Sequence, residues 1–144
     1  MTVLIDTCVI IDALQKRQPF DIAAMKIIDA VAKKRIRGVI TAKSITDIHY
    51  IYMRHVHDRE KTLDVVKKLF ALFVVADTLA VDCYNACFSD VNDYEDGVME
   101  QTAKRLHVDC IVTRNLKDYR LSNIKAFSPD DFFAYLQSAN GEDE

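Results

Sequence analysis

Val3-Leu4-Ile5-Asp6-Thr7-Cys8-Val9-Ile10-Ile11-Asp12 opens the chain with an apolar run that stops at a carboxylate and then resumes with helical spacing. A short apolar run bounded in this way reads as a buried strand over residues 3–6, feeding a helix over 7–15. The same juxtaposition recurs along the chain. Val39-Ile40-Thr41 runs toward Asp47, Asp93-Tyr94-Glu95-Asp96 clusters at a helix start, and Cys110-Ile111-Val112-Thr113 leads into Arg114, Asn115 and Asp118. If the apolar runs are neighbouring parallel strands, these side chains meet at one edge of the sheet, where open α/β folds place their sites. Crowded carboxylates repel and are costly to desolvate, so a chain that gathers them calls for a hard cation, Mg²⁺ or Mn²⁺.

Working outward, apolar residues at 3.6-residue spacing predict helices over 21–35, 43–57, 59–72, 79–89 and 96–106. Asp21 is the expected N-cap of the first of these, and Gly38 falls just past its end. Strands are expected over 39–41, 73–76, 109–113 and 124–127. Ser128-Pro129-Asp130-Asp131 opens a last helix, with Ser128 at the cap and Pro129 in the first turn. Strands alternating with helices give a single three-layer α/β domain, with a central parallel sheet of four to five strands and helices on both faces. The expected domain is 1–137, followed by a flexible acidic tail over 138–144.

At 144 residues, half of them hydrophobic and only 3 Gly and 2 Pro, the chain can bury a real core and is not a disordered segment. Its apolar runs are too short to span a bilayer, and the first residues show no secretory pattern, so a cytoplasmic protein is expected. Cys8, Cys83, Cys87 and Cys110 form no CxxC pair and read as reduced core thiols, although Cys83 and Cys87 share a helix face. The net charge of −3 is uneven. Residues 1–72 hold 13 Lys+Arg against 8 Asp+Glu, a balance of +5; residues 73–144 hold 6 against 14, a balance of −8. The basic half could face a polyanion such as RNA.

Each candidate has a plain structural reading beside the chemical one. Asp6 is either a helix cap or a metal ligand. Asp118 reads as a turn residue first and an acid of the site second. Asp12 reads as structural and Glu100 as solvent-facing. Thr7 and Thr113 offer hydroxyls that orient a water or a phosphate, or simply cap helices. Arg114 either clamps a phosphate or pairs with Asp93 or Glu95. The four histidines read as structural, and His49 alone lies near a candidate acid.

Leu4-Ile5-Asp6-Thr7-Cys8-Val9-Ile10-Ile11-Asp12, the passage from Ile40-Thr41 to Asp47, Asp93-Tyr94-Glu95-Asp96-Gly97-Val98, Ile111-Val112-Thr113-Arg114-Asn115-Leu116-Lys117-Asp118-Tyr119 and Ser128-Pro129-Asp130-Asp131-Phe132-Phe133 occur in the order and spacing of the PIN-domain nucleases. The chain resembles that family over nearly its whole length, and as a free-standing domain it is most similar to toxins of the VapC type. The resemblance implies a metal-dependent ribonuclease in which Asp6, Asp47 and Asp96 are catalytic metal ligands, joined by Asp93 and Asn115. Thr7, Thr113 and Arg114 are implied on the substrate side. Asp47 stands where the family usually has Glu, and Asn115 where it often has Asp, so the charge at the site is lower. The implied partners are RNA, a second copy of the chain and a small antitoxin. Tyr50, Ile51, Tyr52 and Met53 give the third expected helix a second apolar face that such a partner would cover. Two other classes stand beside this reading: a non-catalytic PIN-like RNA- or protein-binding module, and a Mg²⁺-dependent phosphoryl-transfer or receiver-type domain.

Overall fold

The computed structural model describes residues 1–141. Its elements are β1 (Thr2–Ile5), α1 (Thr7–Leu14), α2 (Asp21–Ala32), β2 (Arg37–Thr41), α3 (Ala42–Val56), α4 (Arg59–Leu72), β3 (Val74–Ala76), α5 (Ala80–Ala86), α6 (Tyr94–Arg105), β4 (Cys110–Val112), a 3₁₀ turn (Leu116–Tyr119), β5 (Ala126–Phe127) and α7 (Pro129–Gly141). The five strands form one parallel sheet in the order β3-β2-β1-β4-β5, with Leu4 opposite Val39 on one side and Ile111 on the other.

Alternation along the central strand creates the layers. Val3 and Ile5 face a large core with Ile10, Ile27, Ile48, Leu69 and Phe132, contributed by α1, α2, α3, α4 and α7. Leu4 faces the other way, onto Ala103, Val108 and Tyr119. Helices therefore cover both faces, and the three-layer α/β domain expected from the pattern is the one observed. Phe132, at 0% exposure, anchors α7, and its burial contributes about 2–3 kcal/mol.

The strand order positions the site. From β1 the chain moves outward to β2 and β3, then returns to the far side of β1 as β4. The reversal leaves a crevice at the carboxyl ends of β1 and β4, where Asp6 and Thr113 follow their strands.

Several local expectations are corrected. Asp21 is the first residue of α2 rather than its cap, and the cap position, Phe20, makes no side-chain bond. Lys34, at φ 57°, takes the left-handed turn after α2. Gly38 lies inside β2, where a Cβ would come within 2.6 Å of Val31 and 2.8 Å of Phe73. Close packing, not helix termination, accounts for that glycine. On α4, Leu69 takes the core position of its turn and Phe70 is exposed. Cys110 is buried, but Cys87 is exposed and Cys8 and Cys83 are intermediate. α7 continues past residue 137 to Gly141; Glu142, Asp143 and Glu144 of the expected tail lie outside the described residues. Among the described residues, no helix is long and apolar enough to cross a membrane.

Candidate active site

Asp6 occupies the N-cap position of α1 with extended backbone, yet its carboxylate caps nothing. It turns instead to β4, where Thr113 Oγ1 donates to Oδ2 at 2.7 Å and the Cys8 thiol donates to the same oxygen at 3.5 Å. Thr113 is fully buried, and its hydroxyl accepts the Asn115 backbone N–H at 3.0 Å. One hydroxyl thus ties the ends of β1 and β4 together and fixes the first acid. Burial and the Asp6 charge push the Cys8 thiol up to about 12, so it stays protonated and remains a donor.

Asp96 reaches the same crevice from α6. Asp93 caps that helix, its Oδ1 accepting the Asp96 N–H at 3.1 Å, and this sets Asp96 in the first turn. The Tyr119 hydroxyl donates to Asp96 Oδ1 at 3.3 Å from the 3₁₀ turn. Burial, then the charges of Asp6, Asp93 and Asp118 with a hydrogen bond shared with Asp118, push the Asp96 carboxyl up to about 7. Burial, then the charges of Asp6 and Asp96 and the hydrogen bond to Asp96, also raise Tyr119, which stays a phenol.

Asp6, Asp93, Asp96, Asn115 and Asp118 border one cleft of about 510 Å³. Asp47 and Thr7 line it too, from the other wall. Asp47 is tied to Lys43 Nζ at 2.7 Å, and Lys43 also reaches Glu95 at 3.7 Å. Thr7 donates to Ser44 Oγ at 2.9 Å, within a buried set completed by Thr41. Arg114 is absent from the cleft lining. It pairs with Asp12 rather than with Asp93 or Glu95. Glu100, expected to face solvent, is buried; it holds Lys104 at 2.6 Å through one oxygen and leaves Oε2 without a partner. No histidine lines the cleft.

Asp118, Lys43, Ser44 and Tyr119 are the residues that sequence reading undervalued. Asp118 was legible as a second choice. The other three carry no local pattern that marks a site, and only the fold brings them there.

With Asp47 and Glu95 paired to Lys43, the free candidate donors are oxygens: the carboxylates of Asp6, Asp93, Asp96 and Asp118 and the Asn115 amide. Among the described residues, no three Asp, Glu, His or Cys side chains already close around one point, so the acids border a shared space. That arrangement fits a hard divalent ion that keeps part of its water shell.

The PIN domain family model matches residues 2–117. The chain belongs to the PIN domain family. Solved structures agree in fold. A chain of VapBC2 from Rickettsia felis bound to a promoter DNA fragment superposes with a TM-score of 0.65 at 15% identity, covering 89% of this chain and 98% of that one. A chain of a toxin-antitoxin complex from Klebsiella pneumoniae gives 0.65 at 16%, covering 88% and 97%. VapBC-1 from nontypeable Haemophilus influenzae gives 0.65 at 16%, covering 90% and 99%. No curated protein matches the sequence. In this PIN domain the acids of the cleft come from α6 and the 3₁₀ turn as well as from the end of β1, so the site exists only when both halves of the chain have folded.

Proposed function

We propose that this PIN domain is a divalent-metal-dependent endoribonuclease and the toxin of a toxin–antitoxin pair. The observation that carries the reading is the convergence of Asp6 and Asp96, with Asp118 beside them, on one cleft negative enough to hold a proton on Asp96 to about pH 7. Asp6, Asp96, Asp93, Asp118 and the Asn115 amide would hold Mg²⁺ or Mn²⁺. When bound, such an ion supplies positive charge to a phosphodiester's transition state and makes a water more acidic. Thr113 and Cys8 hold one Asp6 oxygen by hydrogen bonds and leave the other for the cleft. Asp93 and Tyr119 orient Asp96. Lys43 and Thr7, on the facing wall, are placed to meet a phosphate. Asp47 belongs to that wall and is charge-compensated by Lys43.

The toxin role is supported by the likeness to chains of VapBC and toxin-antitoxin complexes. The missing charge at Asn115 favours a non-catalytic module, but Asp118 restores a carboxylate to that part of the cleft. A partner would cover exposed apolar side chains. On α3, Tyr52 is buried and only Tyr50 stands open, with Arg54 over its ring. Exposed apolar side chains stand on and after α5, at Val81, Tyr84 and Phe88, and a second copy or an antitoxin would cover them.

The decisive test is incubation of the purified protein with total RNA, in Mn²⁺ and in EDTA, with the cut ends mapped. Cleavage in Mn²⁺ alone, leaving 5′-phosphates, is expected. Equal cleavage in EDTA, or none in either, removes the reading.

A further inference from the structure

At the opposite pole from the acid cleft lies a second hollow, of about 550 Å³. Its walls include Thr2, Arg37 and Val74, the first residues of β1, β2 and β3. In a parallel sheet all strand starts share one edge and all strand ends the other, so the two hollows are separated by the length of the sheet.

Lys33-Lys34-Arg35-Ile36-Arg37 forms the connection from α2 to β2 along this edge. Ile36 is buried and the four cations around it are exposed. Lys34, Arg35 and Arg37 line the hollow, and none of its lining residues is Asp or Glu. Lys33 is engaged by Asp29 at 2.8 Å, and Arg35 lies over the Phe133 ring at 5.8 Å. Lys34 and Arg37 enter no salt bridge among the described residues. Asp109, on the same edge, is occupied by the Thr2 N–H at 2.6 Å. A concave surface lined by three cations and no acid, with Lys34 and Arg37 free to pair, attracts a polyanion.

The need for such a surface follows from the charge of the molecule. The chain is net −3, and the cleft is locally negative, so the cleft itself repels an RNA backbone. A protein of this kind gathers RNA through a local basic patch. We propose that the hollow of Lys34, Arg35 and Arg37 is a second RNA-backbone site, which anchors phosphates of a substrate at a distance from the point of cleavage. The proposal rests on the ribonuclease reading above. It specifies the substrate class further: an RNA long enough to reach from the acid cleft around the sheet to its starting edge. Exposed guanidinium and ammonium groups on a turn suit phosphate oxygens, and RNA is the polyanion that the proposed reaction already requires.

The test uses the full chain in EDTA, where the metal-dependent reaction is off. Fluorescein-labelled single-stranded RNAs of about 10 and about 40 nucleotides are titrated by anisotropy over a range of salt. The double variant Lys34→Gln/Arg37→Gln is compared with wild type and with Lys34→Arg/Arg37→Lys, each checked for an unchanged thermal melt. On the longer RNA, the Gln variant is expected to bind about tenfold more weakly, with its salt slope reduced by about two, and the charge-preserving variant to restore both. Unchanged affinity and slope on the longer RNA overturn the proposal. So does a hollow that binds polyglutamate in a Lys34- and Arg37-dependent way but not RNA. Cleavage of the longer RNA by wild type in Mn²⁺ is run in parallel. Charge-dependent binding without cleavage removes the nuclease reading and leaves this surface standing. Cleavage with a charge-independent slope removes this surface alone.

Discussion

Arg114 grips Asp12 across 102 residues of sequence: Nη2 lies 3.1 Å from Oδ1, Nε donates to Oδ2, and the guanidinium sits 4.2 Å from the centre of the Phe20 ring. Asp12 is 1% exposed, so this pair is a buried link between α1 and the segment after β4. That segment carries Asn115 and Asp118 to the cleft. Arg114 thereby ties that segment to α1.

The first prediction follows from that burial. Arg114→Gln strands a buried carboxylate and should lower unfolding stability by about 3 kcal/mol. Asp12→Asn combined with Arg114→Gln should recover part of the loss, because no charge is then left unpaired. Urea melts of the two single variants and the double variant measure the coupling. Additive losses, or a loss under about 0.5 kcal/mol for Arg114→Gln, would show that the pair does not anchor the loop.

The second prediction separates the acids of the cleft. Asp6→Asn and Asp96→Asn should each abolish Mn²⁺-dependent cleavage and lower Mn²⁺ affinity, with the fold intact. Asp118→Asn should weaken Mn²⁺ binding by about tenfold. Asp47→Asn should change Mn²⁺ binding little, since Lys43 already neutralises that carboxylate at 2.7 Å. Calorimetric titration with Mn²⁺ gives all four values. A larger loss from Asp47→Asn than from Asp118→Asn would return Asp47 to the metal.

The third prediction concerns pH. Burial and its acidic neighbours raise Asp96 from 3.8 to about 7, so the folded metal-free protein holds a proton there that the unfolded chain has released. Stability from this group is complete below about pH 4 and is lost as pH rises toward 7. Asp96→Asn cannot ionise and should keep it. Partial exposure of Asp96 screens the effect, leaving on the order of 1–2 kcal/mol in favour of the variant at pH 8. Melts in EDTA from pH 5 to pH 8 should show the gap opening with pH. Mn²⁺ should close it by stabilising wild type alone, and a gap that is flat across this range rejects the crowding.

The fold was legible because buried parallel strands and amphipathic helices announce themselves by period, and each apolar run read as a strand contains one of the sheet's strands. Asp6 and Asp96 were legible because an acid beside a buried run or at a helix start is unusual enough to mark. Other features were hidden for physical reasons. The partner of Asp12 lies at position 114, and no local pattern carries a contact of that range. Asp118 sits in a segment whose residues also suit a plain turn, and only the third dimension aims it at Asp96. The basic run 33–37 was visible as charge, but its place at the pole opposite the cleft depends on strand order.

The last prediction returns to β2. Gly38 has no need of a left-handed backbone, since no glycine of the described chain has positive φ. Its requirement is space. A Cβ would meet Val31 Cγ2 at 2.6 Å and the Phe73 ring at 2.8 Å, both buried and confined between the sheet and its helices. Neither atom is the free end of a long side chain, so relief requires the ring or α2 to shift. Gly38→Ala should therefore destabilise by about 1–3 kcal/mol, although alanine is ordinarily the better residue within a strand. Phe73→Leu, which removes the opposing ring, should reduce the penalty when combined with it. Thermal melts of the three variants decide the matter. If Gly38→Ala melts at or above the wild-type temperature, this contact does not limit the packing of β2 against α2.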